Sequence, residues 1–180
     1  RNPRHWIRPQ VRFYLDGVAS FVPLRASHAT ASLEWGLNWC VAAHCHQYLV
    51  VHAAVIERHG VAVLLPAPPG SGKSTLCAAL VQRGWRLLSD ELALYDAQQN
   101  HVLGMARPIN LKNDSIDVMR AFAPAVHMTQ PVHDTSKGTV ALLRPPQASV
   151  QRVKEPAQPR YIVLPRYAFG APACLSQRSR

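Results

Sequence analysis

The amino-acid sequence predicts an α/β fold in which a mixed β-sheet is flanked by helices. Apolar runs rich in β-branched residues alternate with helical segments, a glycine-rich loop separates a strand from a helix, and no internal repeat is present. The chain has 180 residues, of which 48% are hydrophobic and 17% charged. This composition fits a single globular domain and excludes disorder for most of the chain.

Charge and hydropathy narrow the function classes. The formal net charge of +10 raises the question of nucleic-acid binding, but the basic residues are scattered and mostly arginine, with no basic run and no aromatic platform. No apolar run has the roughly 18–20 residues of a membrane helix. Four sparse cysteines predict free thiols. We expect a cytoplasmic protein without a nucleic-acid or membrane partner. Because the chain starts at Arg1 without Met or a leader, we also expect it to be a piece of a longer product.

The first 46 residues predict a hairpin and a helix. Residues 1–30 form a predicted N-terminal extension with an edge hairpin over 11–24, because two short β-prone runs flank Asp16-Gly17, a dipeptide that favours a two-residue turn. Residues 27–46 carry apolar side chains at roughly helical spacing after a Ser/Thr-rich start. This pattern predicts a largely buried helix.

The middle of the chain predicts two strands, a loop, a helix and a third strand. Residues 48–56 and 61–67 are apolar runs joined by a tight turn at 58–60, and their continuity indicates strands covered on both faces. Residues 75–83 are good helix formers followed by a glycine stop, and 86–89 form a short strand.

The remaining chain predicts one more helix and two strands. Residues 113–122 begin with cap-forming and acidic residues and then show helical apolar spacing. The proline-rich part that follows contains strand-like runs at 139–143 and 161–164, which we expect to extend the sheet. The polar end, 176–180, is expected to fray.

The strongest functional motif is Ala67-Pro68-Pro69-Gly70-Ser71-Gly72-Lys73-Ser74, between a predicted strand and a predicted helix. A polyphosphate is bound by a loop whose backbone N–H groups turn inward ahead of a helix N-terminus, which requires glycine. Lys73 can reach the β- and γ-phosphates, and the Ser74 hydroxyl can bind Mg²⁺. Ala67 replaces the first glycine of G-x-x-x-x-G-K-[ST], so the start of the loop is expected to differ slightly. The candidate nucleotide-binding residues are Gly70, Ser71, Gly72, Lys73, Ser74 and Thr75.

Two carboxylates, Asp90 and Glu91, directly follow the predicted strand 86–89, which comes after this helix in the sequence. Ligands of open α/β sheets bind at the carboxyl ends of strands, so one carboxylate can orient Mg²⁺ and the other can accept a proton. The alternative is that they are acids of a surface turn. Ser74, Asp90 and Glu91 are the candidate metal ligands. We assign residues 48–96 to a nucleotide-binding core and 97–180 to a divergent, truncated acceptor-side region.

Three pieces of this core resemble the catalytic core of HPr kinase/phosphorylase, a bacterial enzyme of the phosphoenolpyruvate-carboxykinase-like P-loop group that phosphorylates a seryl hydroxyl of HPr with ATP. Residues 52–55 (HAAV) resemble its histidine strand, 70–74 its P-loop, and 83–91 its arginine-glycine segment leading to an acidic pair. The resemblance implies a fold like the C-terminal domain of HPr kinase, the cofactors ATP and Mg²⁺, and a homo-oligomer.

The resemblance also implies catalytic roles. Asp90 would be the proton acceptor for the incoming hydroxyl, Lys73 and His52 would lie near the transferring phosphate, and Ser74 would bind Mg²⁺. This agrees with the residue chemistry, because in phosphoryl transfer the protein mainly positions the reacting groups and neutralises the charge of the phosphates. For His52 the alternative is a buried strand histidine satisfied by the backbone.

The segment 105–113 departs from the family signature, in which a metal-binding Glu precedes an Arg-Gly pair. Arg107 matches the arginine, but no Glu precedes it, so a second metal ligand and a reverse phosphorolysis are not predicted. This sequence shows no counterpart of the family's HPr-docking loop, so HPr itself is not predicted as the acceptor. The stretch RPINLKNDSID, with residues 133–139, resembles a divergent branch of HPr-kinase-related kinases. Arg107, Lys112 and Lys137 are candidates to hold phosphates or an acidic acceptor, with solvated cations as the alternative.

These observations predict an ATP- and Mg²⁺-dependent kinase that transfers the γ-phosphate to a serine or other hydroxyl of a protein or peptide. A small-molecule kinase is one alternative, and a nucleotide-binding regulatory module with little turnover is another. Cys40, His44, Cys45 and His46 superficially suggest a metal site, but their spacing matches no zinc pattern. Buried thiols at a helix end are the favoured interpretation.

Overall fold

The computed structural model describes residues 8–178 and has a mixed α/β architecture. Residues 1–7 of the predicted extension and residues 179–180 of the predicted frayed end lie outside the described residues. The helices are α1 (Ala29–His44), α2 (Lys73–Gln82), α3 (Asp114–Phe122) and α4 (Gln147–Gln151). The strands are β1 (Gln10–Val11), β2 (Tyr14–Leu15), β3 (Val18–Ala19), β4 (Leu24–Arg25), β5 (Leu49–Val51), β6 (Ala53–Arg58), β7 (Val61–Pro66), β8 (Arg86–Ser89), β9 (Ala93–Asp96), β10 (His101–Leu103), β11 (Ile109–Lys112), β12 (Val132–Thr135), β13 (Gly138–Leu143) and β14 (Gln158–Ile162). Within residues 8–178 no helix is long and apolar enough to span a bilayer.

The central sheet has four strands in the order β14-β7-β6-β8. Strand β6 is antiparallel to both β7 and β8, so β7 and β8 run in the same direction, and β14 is parallel to β7. The carboxyl ends of β7, β8 and β14 therefore lie along one edge, and Ala53, at the start of β6, pairs with Pro66 there. The segments that follow β7, β8 and β14 therefore lie at the same edge of the sheet as His52, which precedes β6.

The predicted single sheet is wrong, because the strands divide among several sheets. The predicted strand 48–56 bends at His52, and its first part, β5, joins the separate sheet β10-β9-β5. Strand β14 extends the central sheet as predicted, whereas β13 lies between β11 and β12 in a third sheet. Apolar periodicity predicts each strand but does not specify its partner, which is chosen by contacts distant in sequence.

Both faces of the central sheet are covered, as predicted from its apolar runs. Helix α2 packs on one face, where the core includes Ala54, Ile56, Leu65, Cys77, Leu87 and Met119. The opposite face buries a second cluster that includes Ala53, Val55, Ala62, Leu88 and Val102. Successive residues of β6 alternate between these clusters, because side chains alternate across a strand. This double burial fixes the strands that carry the site.

Helix α1 is less buried than predicted. Only Ala31, Ser32 and Gly36 are buried, while Leu33 and Leu37 are exposed. The apolar residues are spread around this helix, and without a single apolar stripe it cannot bury all of them against one neighbour. The four cysteines of the chain are free thiols, as predicted, but of Cys40 and Cys45 at this helix end neither is fully buried.

The predicted hairpin is present at Asp16-Gly17, where both residues have positive φ angles of 49° and 80°. It forms its own two-stranded sheet of β2 and β3, so its predicted place at the edge of the main sheet is wrong. The tight turn between β6 and β7 also has two successive residues with positive φ angles, 54° at His59 and 79° at Gly60.

Candidate active site

The glycine-rich loop joins β7 to the N-terminus of α2. Gly70 and Gly72 both have a φ of 83°, a conformation that L-residues rarely adopt. Helix α2 begins at Lys73 with Gly72 as its N-cap, and no side chain in the described part of the chain caps this end. The free N–H groups of the first helical turn and the positive end of the helix dipole are therefore available to an anion.

Lys73 and His52 meet at this loop. The Nζ atom of Lys73 lies 3.0 Å from Nε2 of His52, and Lys73 is buried. Burial lowers the pKa of Lys73, an effect opposed by the carboxylates of Asp90 and Glu91. His52 is an exposed residue at a bend and not a buried strand histidine. Partial desolvation of its ring and the neighbouring Lys73 charge lower the pKa of His52. A charged lysine can only donate, so His52 accepts through Nε2 as a neutral imidazole.

Asp90 lies buried at the end of β8, with 5% of its surface exposed. Its Oδ2 accepts the backbone N–H of Asn110 at 2.9 Å, while Oδ1 has no hydrogen-bond partner among the described residues. Burial raises the pKa of Asp90 to about 6, and the Glu91 charge adds to this rise, whereas the Asn110 N–H, Lys73 and the Ser74 hydroxyl oppose it. A carboxylate with such a pKa and a free oxygen is suited to accept a proton near neutral pH.

Helix α1 forms one wall of the cleft that contains Asp90 and Glu91. The Nδ2 of Asn38 donates to Glu91 Oε2 at 2.6 Å, and the Oδ1 of Asn38 accepts from Arg107 Nη1 at 2.9 Å. Arg107 also forms an ion pair with Glu34 and donates to the Glu34 carbonyl oxygen at 2.8 Å. Arg107 thus lines the predicted site, but its charge is already neutralised by α1.

Lys112 and Lys137 act on the same site through their charges. Both lower the pKa of His52, and Lys112 also lowers that of Lys73. The Nζ atom of Lys137 lies 5.0 Å from the centre of the Trp35 ring. Lys137 is exposed overall, and partial desolvation lowers the pKa of its ammonium, an effect that the charge of Glu91 opposes. The fold therefore gathers the predicted basic residues around the acidic pair.

Two unpartnered oxygen atoms at the site are of the kind that Mg²⁺ binds. Asn110 has 5% of its surface exposed and its Oδ1 is buried without a partner, as is Asp90 Oδ1. Among residues 8–178 no three His, Cys, Asp or Glu side chains converge on a metal position. The group of Cys40, His44, Cys45 and His46 is therefore not placed as a metal site. Mg²⁺ usually takes one or two carboxylates together with phosphate and other oxygens, so the available donors suffice.

Three residues of the site were missed from the sequence. Asn110 lies within the divergent segment 105–113 but was not identified as a site residue. Glu34 and Asn38 are four residues apart on α1 and therefore lie on one face, a polar pair that could have indicated a surface turned toward a site. Their partners, Arg107 and Glu91, are more than fifty residues away in sequence, and no local pattern predicts such a contact.

Comparison with known proteins shows partial sequence similarities. A family model described as SynChlorMet cassette protein ScmC matches residues 28–107. Proteins named HPr kinase/phosphorylase are similar over shorter stretches. That of Streptococcus thermophilus is 31% identical over 68 residues, covering 38% of this chain and 22% of the relative. That of Lactobacillus acidophilus is 33% identical over 87 residues, covering 48% and 27%.

The predicted resemblance to HPr kinase/phosphorylase is thereby confirmed as a partial sequence similarity. The protein of that name from Lacticaseibacillus casei is 35% identical over 60 residues, which cover 33% of this chain. The chain spans only about a fifth to a quarter of the length of these relatives. No solved structure matches the chain.

Proposed function

We propose that this chain is a P-loop kinase-like domain, related in fold to the C-terminal domain of HPr kinase, that transfers the γ-phosphate of ATP to a hydroxyl of a protein or peptide. One observation carries the proposal. Three features lie at one edge of the central sheet. The first is a helix N-terminus that no side chain of the described residues caps and that follows two glycines with positive φ. The others are a buried lysine and a buried Asp90, which has a pKa of about 6 and an unpartnered oxygen.

Phosphate binding is assigned to the loop and to the lysines around it. The backbone N–H groups at the start of α2 and the ammonium of Lys73 would hold the β- and γ-phosphates. Lys112 and Lys137 add positive charge on the acceptor side. In this arrangement His52 accepts a hydrogen bond from Lys73 and so fixes the direction of its ammonium group.

Proton transfer is assigned to Asp90. The acceptor hydroxyl oxygen forms a bond to the γ-phosphorus, the bond from that phosphorus to the β–γ bridging oxygen breaks, and the hydroxyl proton passes to Asp90 Oδ1. The products are a phosphorylated acceptor and ADP. Asp90 is mostly ionised at pH 7, because its pKa is about 6, so it can take up the proton.

The side-chain oxygens of Ser74, Glu91 and Asn110 would hold Mg²⁺ together with the phosphates, and Asp90 lies beside them. When bound, the ion would neutralise negative charge on the phosphate oxygens. The unpartnered Oδ1 of Asn110 is the structural feature that supports this assignment.

The test is nucleotide binding and phosphoryl transfer by wild type, Lys73→Ala and Asp90→Asn. MgATP binding is measured by calorimetry, and transfer is measured with γ-labelled ATP in a cell lysate. We expect wild type to bind MgATP and label a discrete acceptor, Lys73→Ala to lose binding, and Asp90→Asn to bind but lose at least about a hundredfold in transfer. Absence of MgATP binding by wild type would overturn the proposal.

A nucleotide-binding regulatory module is the second candidate function. It is favoured by the ion pair of Arg107 with Glu34, which neutralises the arginine that a kinase would direct at phosphate. MgATP binding by wild type without hydrolysis or labelling of any acceptor would select this function over the kinase.

A further inference from the structure

The chain that follows β14 crosses the glycine-rich loop. Because β14 is parallel to β7, its carboxyl end emerges at the same edge as the loop. The N–H of Val163 donates to the carbonyl oxygen of Leu64 at 2.8 Å, and the N–H of Tyr167 donates to the carbonyl oxygen of Ser71 at 3.0 Å. The segment 163–170 is therefore attached directly to the candidate phosphate-binding loop.

This attachment is close. A Cβ atom built on Gly72 would lie 3.1 Å from the Cβ of Tyr167, so the tyrosine leaves no room for a side chain at this loop position. The aromatic rings of the segment nevertheless remain in solvent, since 69% of Tyr167 and 94% of Phe169 is exposed. Large aromatic side chains usually gain stability by burial, which these two do not obtain within the described residues.

The base of a bound nucleotide would cover these exposed aromatic rings. If its phosphates lie in the loop, its sugar and base must extend outward over the surface beside the loop, where segment 163–170 runs. Every base has a flat π-face that stacks on an aromatic ring. We propose that segment 163–170 forms the base-binding part of the nucleotide site, with the ring of Tyr167 as the stacking surface. This inference rests on the proposed nucleotide binding at the loop.

The experiment compares a ligand that has a base with one that lacks it. Wild type, Tyr167→Ala and Tyr167→Phe are titrated with MgATP and with magnesium tripolyphosphate, which presents only the phosphates. Tyr14→Ala is the matched control, because Tyr14 is also an exposed tyrosine but lies in the N-terminal hairpin. Tyr167→Ala is expected to weaken MgATP binding about tenfold and to leave tripolyphosphate binding unchanged. Tyr167→Phe and Tyr14→Ala should both bind like wild type.

A second measurement reports contact directly. In Tyr167→Trp the indole fluorescence should change on addition of MgATP but not of magnesium tripolyphosphate. Unchanged MgATP affinity in Tyr167→Ala, with no ATP-specific fluorescence change in Tyr167→Trp, would overturn the base-binding assignment while phosphate binding stands. If wild type binds neither ligand, the proposed function is overturned, and this inference with it.

Discussion

Glu57 and Arg86 form a buried ion pair between the neighbouring antiparallel strands β6 and β8. Glu57 also accepts the Gly60 N–H at 2.6 Å, and Arg86 Nη1 donates to the carbonyl oxygens of Arg152 and Glu155 at 2.7 and 2.8 Å. The pair thus connects the β6–β7 turn, β8 and the segment that follows α4. It joins β6 and β8 at the ends of these strands opposite to those next to His52 and Asp90.

The first prediction concerns this pair. Glu57→Gln removes the negative charge and leaves the Arg86 guanidinium buried without a counter-charge, so we expect a loss of about 3 kcal/mol in the free energy of unfolding. Urea denaturation measures it. Asp117→Asn, which removes the exposed ion pair with Arg120, is the control and should cost no more than about 1 kcal/mol. Equal losses in both variants would contradict a structural role for the buried pair.

The second prediction concerns the pH dependence of stability. The pKa of Asp90 is about 6 in the folded protein against an ordinary value of 3.8, so the folded state holds this proton more tightly than the unfolded state does. The contribution of Asp90 to stability is therefore greatest below pH 3.8 and falls as the pH rises through about 6. Asp90→Asn removes the free-energy cost of keeping an ionised carboxylate buried and should stabilise the protein by up to about 3 kcal/mol at pH 7.5.

The measurement for Asp90 is thermal or urea unfolding of wild type and Asp90→Asn in chelator-containing buffer from pH 4 to pH 8. The stability difference should shrink as the pH is lowered toward 4. A variant that is less stable than wild type at pH 7.5 would show that the buried carboxylate is held by favourable contacts rather than tolerated for function.

The third prediction separates backbone strain from the contact with Tyr167. Gly72→Ala places a methyl group in a left-handed position and against the Tyr167 Cβ at 3.1 Å. Gly60→Ala is the matched control, because its φ of 79° carries similar strain but nothing lies within 4 Å of the added atom. We expect about 1–2 kcal/mol of destabilisation in Gly60→Ala with unchanged MgATP affinity.

In Gly72→Ala we expect a larger loss of stability and, in addition, weaker MgATP binding. Chemical denaturation and calorimetry give the two quantities on the same samples. If both variants lose the same stability and bind MgATP alike, the close approach of segment 163–170 to the loop has no energetic consequence.

The fourth prediction concerns the contact of α1 with Arg107. Glu34→Gln keeps the shape of the side chain but releases the Arg107 charge into the cleft, which should tighten MgATP binding several-fold. The double variant Glu34→Gln with Arg107→Ala should lose this gain. Calorimetric titration of the three proteins tests it, and unchanged affinity in Glu34→Gln would show that Arg107 serves only to hold α1 in place.

The sequence by itself determined the local features of this protein. The strand, glycine-rich loop and helix around Lys73 follow from β-branched runs, from glycines that can adopt positive φ and from good helix formers, and the structure contains them within one or two residues of the predicted bounds. Strand β8 has the predicted bounds. These features depend on hydrogen bonds and dihedral preferences within a few residues, which is why a local pattern predicts them.

Only the tertiary structure decided which of these elements meet. The pairing of β6 with both β7 and β8 places His52, Lys73 and Asp90 at one edge, and the parallel addition of β14 lays Tyr167 over the loop. The burial that raises the pKa of Asp90 and the contact of Arg107 with α1 arise in the same way. Such contacts join residues far apart in sequence, and the packing of the whole chain selects them, because each strand and helix alone has several acceptable partners.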